Sequence, residues 1–98
     1  MELKMYTLVR KDLGKSYGAV QASHSVAEYL LRGPRTEWNN GTMVLLEVEN
    51  QKELKKWTQK LAYKGIDWVG FTEPDTGDEL TAITAVNTGE VFKKLELF

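Results

Sequence analysis

Apolar residues run almost unbroken from Leu3 to Val9, with β-forming side chains among them, as in a strand covered on both faces. The pattern breaks at a polar turn, Asp12 to Ser16, and resumes at helical spacing from Tyr17 to Arg32. Ser16 stands where an N-cap belongs. Val20, Ala27 and Leu31, flanked by Ala19, Ala22, Val26 and Leu30, form the broad apolar face expected to turn inward. Gly33-Pro34 ends this helix, because proline drives the residue before it out of helical geometry. A loop at Trp38-Asn39-Asn40-Gly41 leads to a second buried strand, Thr42 to Val48.

Asn50 and Glu53 then have the spacing of a capping box, with asparagine in the serine place. The helix they open is predicted to reach Lys64, with Leu54, Trp57 and Leu61 inward and Gly65 as its stop. Ile66 to Phe71 reads as a third strand, Glu73 to Asp78 as an acidic turn, Leu80 to Val86 as a fourth strand. Gly89 to Leu95 is a short terminal helix or turn. The order is β-α-β-α-β-β. Strands separated by helices pair in parallel through crossovers, whereas two strands joined by a short turn pair antiparallel. The fold class is therefore α/β: a single domain over residues 1–98, with a mixed four-stranded sheet packed by helices.

Composition narrows the chemistry. The chain of 98 residues has no cysteine and one histidine, so disulfides and thiolate metal sites are out and a metal cofactor is not expected. The formal net charge of −1 argues against a protein that coats nucleic acid at large, while leaving room for a local basic patch. No apolar run has the length of a signal peptide or a membrane span, so a cytoplasmic protein is expected.

Polar side chains bunch where the first strand meets the first helix, a junction at which open α/β sheets hold ligands. The combination Arg10-x-Asp12-Leu13 followed by Ala19-Val20-Gln21-x-x-His24 resembles the opening motif of the type 2 peptidyl-tRNA hydrolases. The later elements follow that family's order over almost the whole chain. The resemblance implies cleavage of the ester joining a peptide to the 3′ ribose of tRNA, with tRNA as partner, no metal and commonly a homodimer. It also implies a site built from a lysine in the first turn, an aspartate in the acidic turn and nearby threonines. Two departures stand out. Counting back from Gln21, the lysine position holds Tyr17, and the family's Asp-Ala-Gly-x-Thr is matched by Asp75-Thr76-Gly77-Asp78-Glu79, with Asp75 and Gly77 in place and Glu79 where threonine belongs.

On this reading Asp75 orients water, and Lys15 with the amides of Ser16 to Gly18 stabilises the oxyanion. Thr81, a candidate by position, helps place the ester. Arg10 and Lys11 flank the site as RNA contacts, and Asp12 orders the turn by accepting backbone N–H groups. Tyr17 supplies a hydroxyl or a stacking face. Gln21 and His24, one turn apart, form a hydrogen-bonded pair behind the site. Plainer readings stand beside these: Asp75 as a turn former, Lys15 as a solvated loop residue, His24 as a packed side chain. Lys52, Lys56, Lys60 and Lys64, with Lys55 beside them, make one basic stripe that suits RNA phosphates or simply a solvated outer face. Two other functions fit the same scaffold: a non-catalytic module that binds RNA or protein, and a protein-interaction subunit with no nucleic-acid affinity.

Overall fold

The computed structural model describes residues 2–98. Four strands form one sheet: β1 (Lys4–Arg10), β2 (Met43–Val48), β3 (Val69–Glu73) and β4 (Glu79–Asn87). Two helices, α1 (Lys15–Arg32) and α2 (Gln51–Tyr63), connect β1 to β2 and β2 to β3. The strand order is β2-β1-β4-β3. β1 and β2 are parallel, and β4 runs antiparallel between β1 and β3. The predicted mixed sheet is thus present, and its last two strands are antiparallel neighbours. The carboxyl ends of β1, β2 and β3, the start of β4 and the amino ends of both helices consequently gather along one edge of the sheet.

Each face of the sheet carries a different chemistry. Tyr6 and Leu8 of β1, Leu46 and Val48 of β2, and Ile83 and Ala85 of β4 pack with Leu54 and Leu61 of α2 and with Phe92. That side is an apolar core, joined by Trp57, whose ring lies 5.5 Å from that of Phe92. The opposite face presents Thr7 and Thr84 beside Val9 and Ala82. Against it α1 buries Gly18, Gln21, Ala22, Ser25 and Tyr29.

This corrects the expected orientation of α1. Val20, Leu30 and Leu31, assigned to the core from spacing alone, are 51%, 56% and 75% exposed. The physical reason is hydrogen bonding. A sheet face carrying buried threonine hydroxyls needs polar partners, because a buried unsatisfied hydroxyl costs more than an exposed leucine. Ser25 Oγ meets Thr84 Oγ1 at 2.8 Å, and Thr84 Oγ1 meets Thr7 Oγ1 at 2.9 Å.

Helix boundaries differ in instructive ways. Ser16 is not the N-cap of α1; Gly14 is, at φ +84°, and no side chain caps that end. Asn50 does cap α2, accepting the Glu53 amide at 3.0 Å. At the other end of α2 the Gly65 amide donates to the Ala62 carbonyl and the Ile66 amide to that of Leu61, a Schellman arrangement. That closure holds Ile66 in the helix terminus and delays β3 to Val69, later than predicted. The terminal segment forms a single 3-10 turn, Glu90–Phe92. The chain then runs along the free edge of β2, where Glu47 donates to the Glu96 carbonyl and Phe98 to that of Leu45. Covering an edge strand in this way removes unpaired backbone groups that invite association.

Candidate active site

The site lies at the edge where α1 begins. Gly18 is the first residue of α1 whose amide reaches back within the helix, to the Gly14 carbonyl at 2.9 Å. The amides of Lys15, Ser16 and Tyr17 therefore have no intrahelical partner, and together with the helix dipole they make a cradle for negative charge. Gly18 drops out of the expected amide set for that reason. Its place is structural: a Cβ there would come within 2.6 Å of the Phe98 ring.

Arg10 ends β1 almost fully buried, and the structure commits its donors internally. Nε and one terminal nitrogen grip the two Asp12 oxygens at 3.0 and 2.9 Å. The other terminal nitrogen donates to Glu79 Oε1 at 2.7 Å and to the Leu80 carbonyl at 3.2 Å. The first turn is thus tied to the start of β4. The Asp12 bond raises the Arg10 pKa against the opposing effect of burial, with Glu79 adding to the rise, and the same bond lowers the Asp12 pKa. Arg10 is a brace and not a free RNA contact, and the main partner of Asp12 is this guanidinium where backbone amides were expected.

The two lysines of the turn lean away from Asp75. Lys11 reaches Glu49 at 3.1 Å and Glu47 at 3.8 Å. Lys15 reaches Glu47 at 3.6 Å and lies 4.1 Å from the centre of the Phe98 ring. Glu47 belongs to β2 and Asp75 follows β3, which are the opposite edges of the sheet, three strand spacings or about 14 Å apart. The structure does not bring Lys15 to Asp75.

Tyr17 stands in the first turn of α1, 37% exposed, within the field of the acidic turn. Its pKa is raised, first by partial loss of water around the phenol and then by the negative charges of Glu73 and Asp75. The hydroxyl consequently stays protonated, a neutral donor. Asp75 is exposed in the 3-10 turn Pro74–Thr76, which Gly77 closes in the left-handed region at φ +76°. That conformation is the reason for glycine at this position.

Behind the turn runs a hydrogen-bonded chain that was not anticipated. Gln21, 1% exposed, donates from Nε2 to Glu73 Oε2 at 2.9 Å and accepts from Thr81 Oγ1 at 2.7 Å. The other Glu73 oxygen faces the Asp75 amide at 3.4 Å. Thr81 reaches Gln21 because the register between β3 and β4 shifts: Phe71 pairs with Ala82 but Thr72 with Leu80, which leaves Thr81 as an extra residue. Such a bulge re-aims a side chain, here toward α1. Thr81 is fully buried, so it acts on the turn through Gln21. His24 is not paired with Gln21; it is stacked on Phe71 at 4.4 Å, near-parallel. Glu73 and Glu79 are the residues sequence reasoning missed. The signal available was weak: an acidic residue directly before Pro-Asp, where a 3-10 turn needs a cap.

A small α/β protein with an uncapped helix amino terminus and a carboxylate turn at the same end of its sheet is the class that the fold and site define. The family model described as peptidyl-tRNA hydrolase PTH2 matches residues 3–94. The chain belongs to that family. Among solved structures it is similar to a protein of unknown function from Agrobacterium tumefaciens strain C58, with a TM-score of 0.71 and 13% identity, covering 100% of this chain and 98% of that one. That likeness concerns the fold. No curated protein matches the chain significantly. Among the described residues no helix is long and apolar enough to cross a membrane.

Proposed function

We propose that this protein hydrolyses the ester between a peptide and the 3′ ribose of tRNA, without a metal, as a cytoplasmic homodimer. Membership of the family supports the reaction. The observation that carries the mechanism is Tyr17 standing at the open amino end of α1 and in the field of Glu73 and Asp75. The Asp75 carboxylate orients a water and takes its proton as the water oxygen bonds to the ester carbon. The negative charge that develops on the carbonyl oxygen is met by the amides of Lys15, Ser16 and Tyr17 and by the Tyr17 hydroxyl. The bond to the ribose then breaks, and the 3′ oxygen leaves with the proton held by Asp75. Gln21, Glu73 and Thr81 fix the acidic turn from behind. Tyr17 replaces an ammonium with a neutral donor, and charge-assisted bonds are roughly twice as strong as neutral ones.

Peptide release from N-acetyl-aminoacyl-tRNA tests the reading. Asp75→Ala is expected to lower the rate by about 10²-fold or more, and Tyr17→Phe by about 10²-fold. Tyr17→Lys is expected to raise it above wild type. Rates unchanged by D75A and Y17F, or no release by the wild type, would overturn it.

A second reading, a non-catalytic module binding RNA or protein on the same scaffold, is favoured by one observation. Both lysines of the first turn are held by Glu47 and Glu49, so neither of their ammonium groups stands beside Asp75. That reading predicts no peptide release, with binding that survives D75A.

A further inference from the structure

Charge is divided between two surfaces of the molecule. Around the candidate site stand Asp12, Glu73, Asp75, Asp78 and Glu79; the guanidinium among them is bound by Asp12 and Glu79, and Lys11 and Lys15 are held by Glu47 and Glu49. The α1 amides there can hold one oxyanion, but no cation among the described residues there is free to hold a run of phosphates, so affinity for a polyanion has to come from elsewhere. On the far side of the sheet, α2 exposes Lys52, Lys55, Lys56 and Lys60, with Lys64 exposed at its C-cap, opposite the buried Leu54 and Leu61. Among the described residues only Lys56 of this set pairs with a carboxylate, Glu53 at 3.3 Å, an exposed pair of little strength. Lys60 lies over the Trp57 ring, 4.6 Å from its centre, which holds its ammonium at the surface. Apart from Lys56, these positive charges pair with no carboxylate among the described residues, on a chain whose net charge is −1.

The stripe is also placed with respect to the site. Gln51, the first residue of α2, accepts the Leu80 amide at 2.9 Å, and the Leu80 carbonyl accepts from Arg10. The lysine row therefore starts beside the edge that holds the site and runs away from it. Each step of four residues advances about 6 Å, so Lys52 to Lys64 covers about 18 Å. A helical nucleic acid offers regularly spaced phosphates over such a length.

We infer that the lysine face of α2 binds the phosphate backbone of a tRNA stem whose 3′ end enters the candidate site. This rests on the hydrolase reading for the direction of the tRNA, though not for the contact itself. The interaction reads no bases; it supplies salt-dependent affinity that the acidic site lacks.

Fluorescence anisotropy with deacylated tRNA over a series of salt concentrations tests the inference independently of catalysis. In the variant K56E/K60E the slope of log K against log salt is expected to shrink by about 1.5, with weaker binding at low salt. Arg32→Glu, a charge reversal on α1 across the sheet from α2, is expected to leave the slope as it is. An unchanged slope in K56E/K60E would overturn the inference. Competition in which polyglutamate displaces tRNA at equal or lower concentration would also overturn it, in favour of an acidic protein partner. Lysine-dependent tRNA binding by a protein that releases no peptide would support the surface while removing the hydrolase reading alone.

Discussion

Gln21 sits inside the protein with both ends of its amide committed, one to Thr81 and one to Glu73. Its sequence neighbourhood, Ala-Val-Gln-x-x-His, marked it as part of the site; its partners were not legible there, because a bulge in β4 decides which way Thr81 points. Replacing it by alanine removes the acceptor of a buried hydroxyl and the donor to a carboxylate. Gln21→Ala is expected to cost about 2–3 kcal/mol in urea unfolding. Asp75→Ala, an exposed change, should stay within about 0.5 kcal/mol. Equal, small effects of the two would show that the chain behind the acidic turn does not hold it. Tyr17 and Lys15 show a similar limit. The sequence places both in one turn, but which of them faces Asp75 depends on the direction each leaves the first turn of α1. Lys15 goes to Glu47, and the Tyr17 phenol lies in the field of Glu73 and Asp75.

At the level of elements, α2 was readable almost whole. Its cap, its inward leucines and its glycine stop are local devices, acting between residues a few positions apart. Asn50→Ala is therefore expected to lower stability by about 1 kcal/mol. In a thermal melt this appears as a drop of about 4–8 °C for a domain of this size; an unchanged melting temperature would mean that α2 is held by packing alone. In α1 the same kind of reading chose the wrong face. Leucine and valine spacing ranked Val20, Leu30 and Leu31 as core, while the sheet face beneath required Ser25 and Gln21. A hydrophobic pattern records what a helix offers. It does not record that the partner face carries threonines.

For the molecule as a whole, Leu30 of that exposed face lies beside the exposed Met43 of β2, and Leu31 is exposed next to it, an apolar surface that a homodimer would cover. Leu30→Lys with Leu31→Lys is expected to shift the protein from dimer to monomer in sedimentation while leaving its fold intact. Wild type that sediments as a monomer at high concentration would end the dimer proposal. Strand and helix order, the capping of α2, the acidic turn and the family are properties of the sequence by itself, since each rests on residues near one another in the chain. Tertiary structure alone decided that Arg10 is a brace, that Thr81 works through Gln21, and that Lys15 turns to Glu47. The order β2-β1-β4-β3 sets Glu47 and Asp75 on opposite edges, and side chains from one turn follow the charges they can reach. Distances across the sheet are not written in local spacing, and the chemistry of this site depends on them.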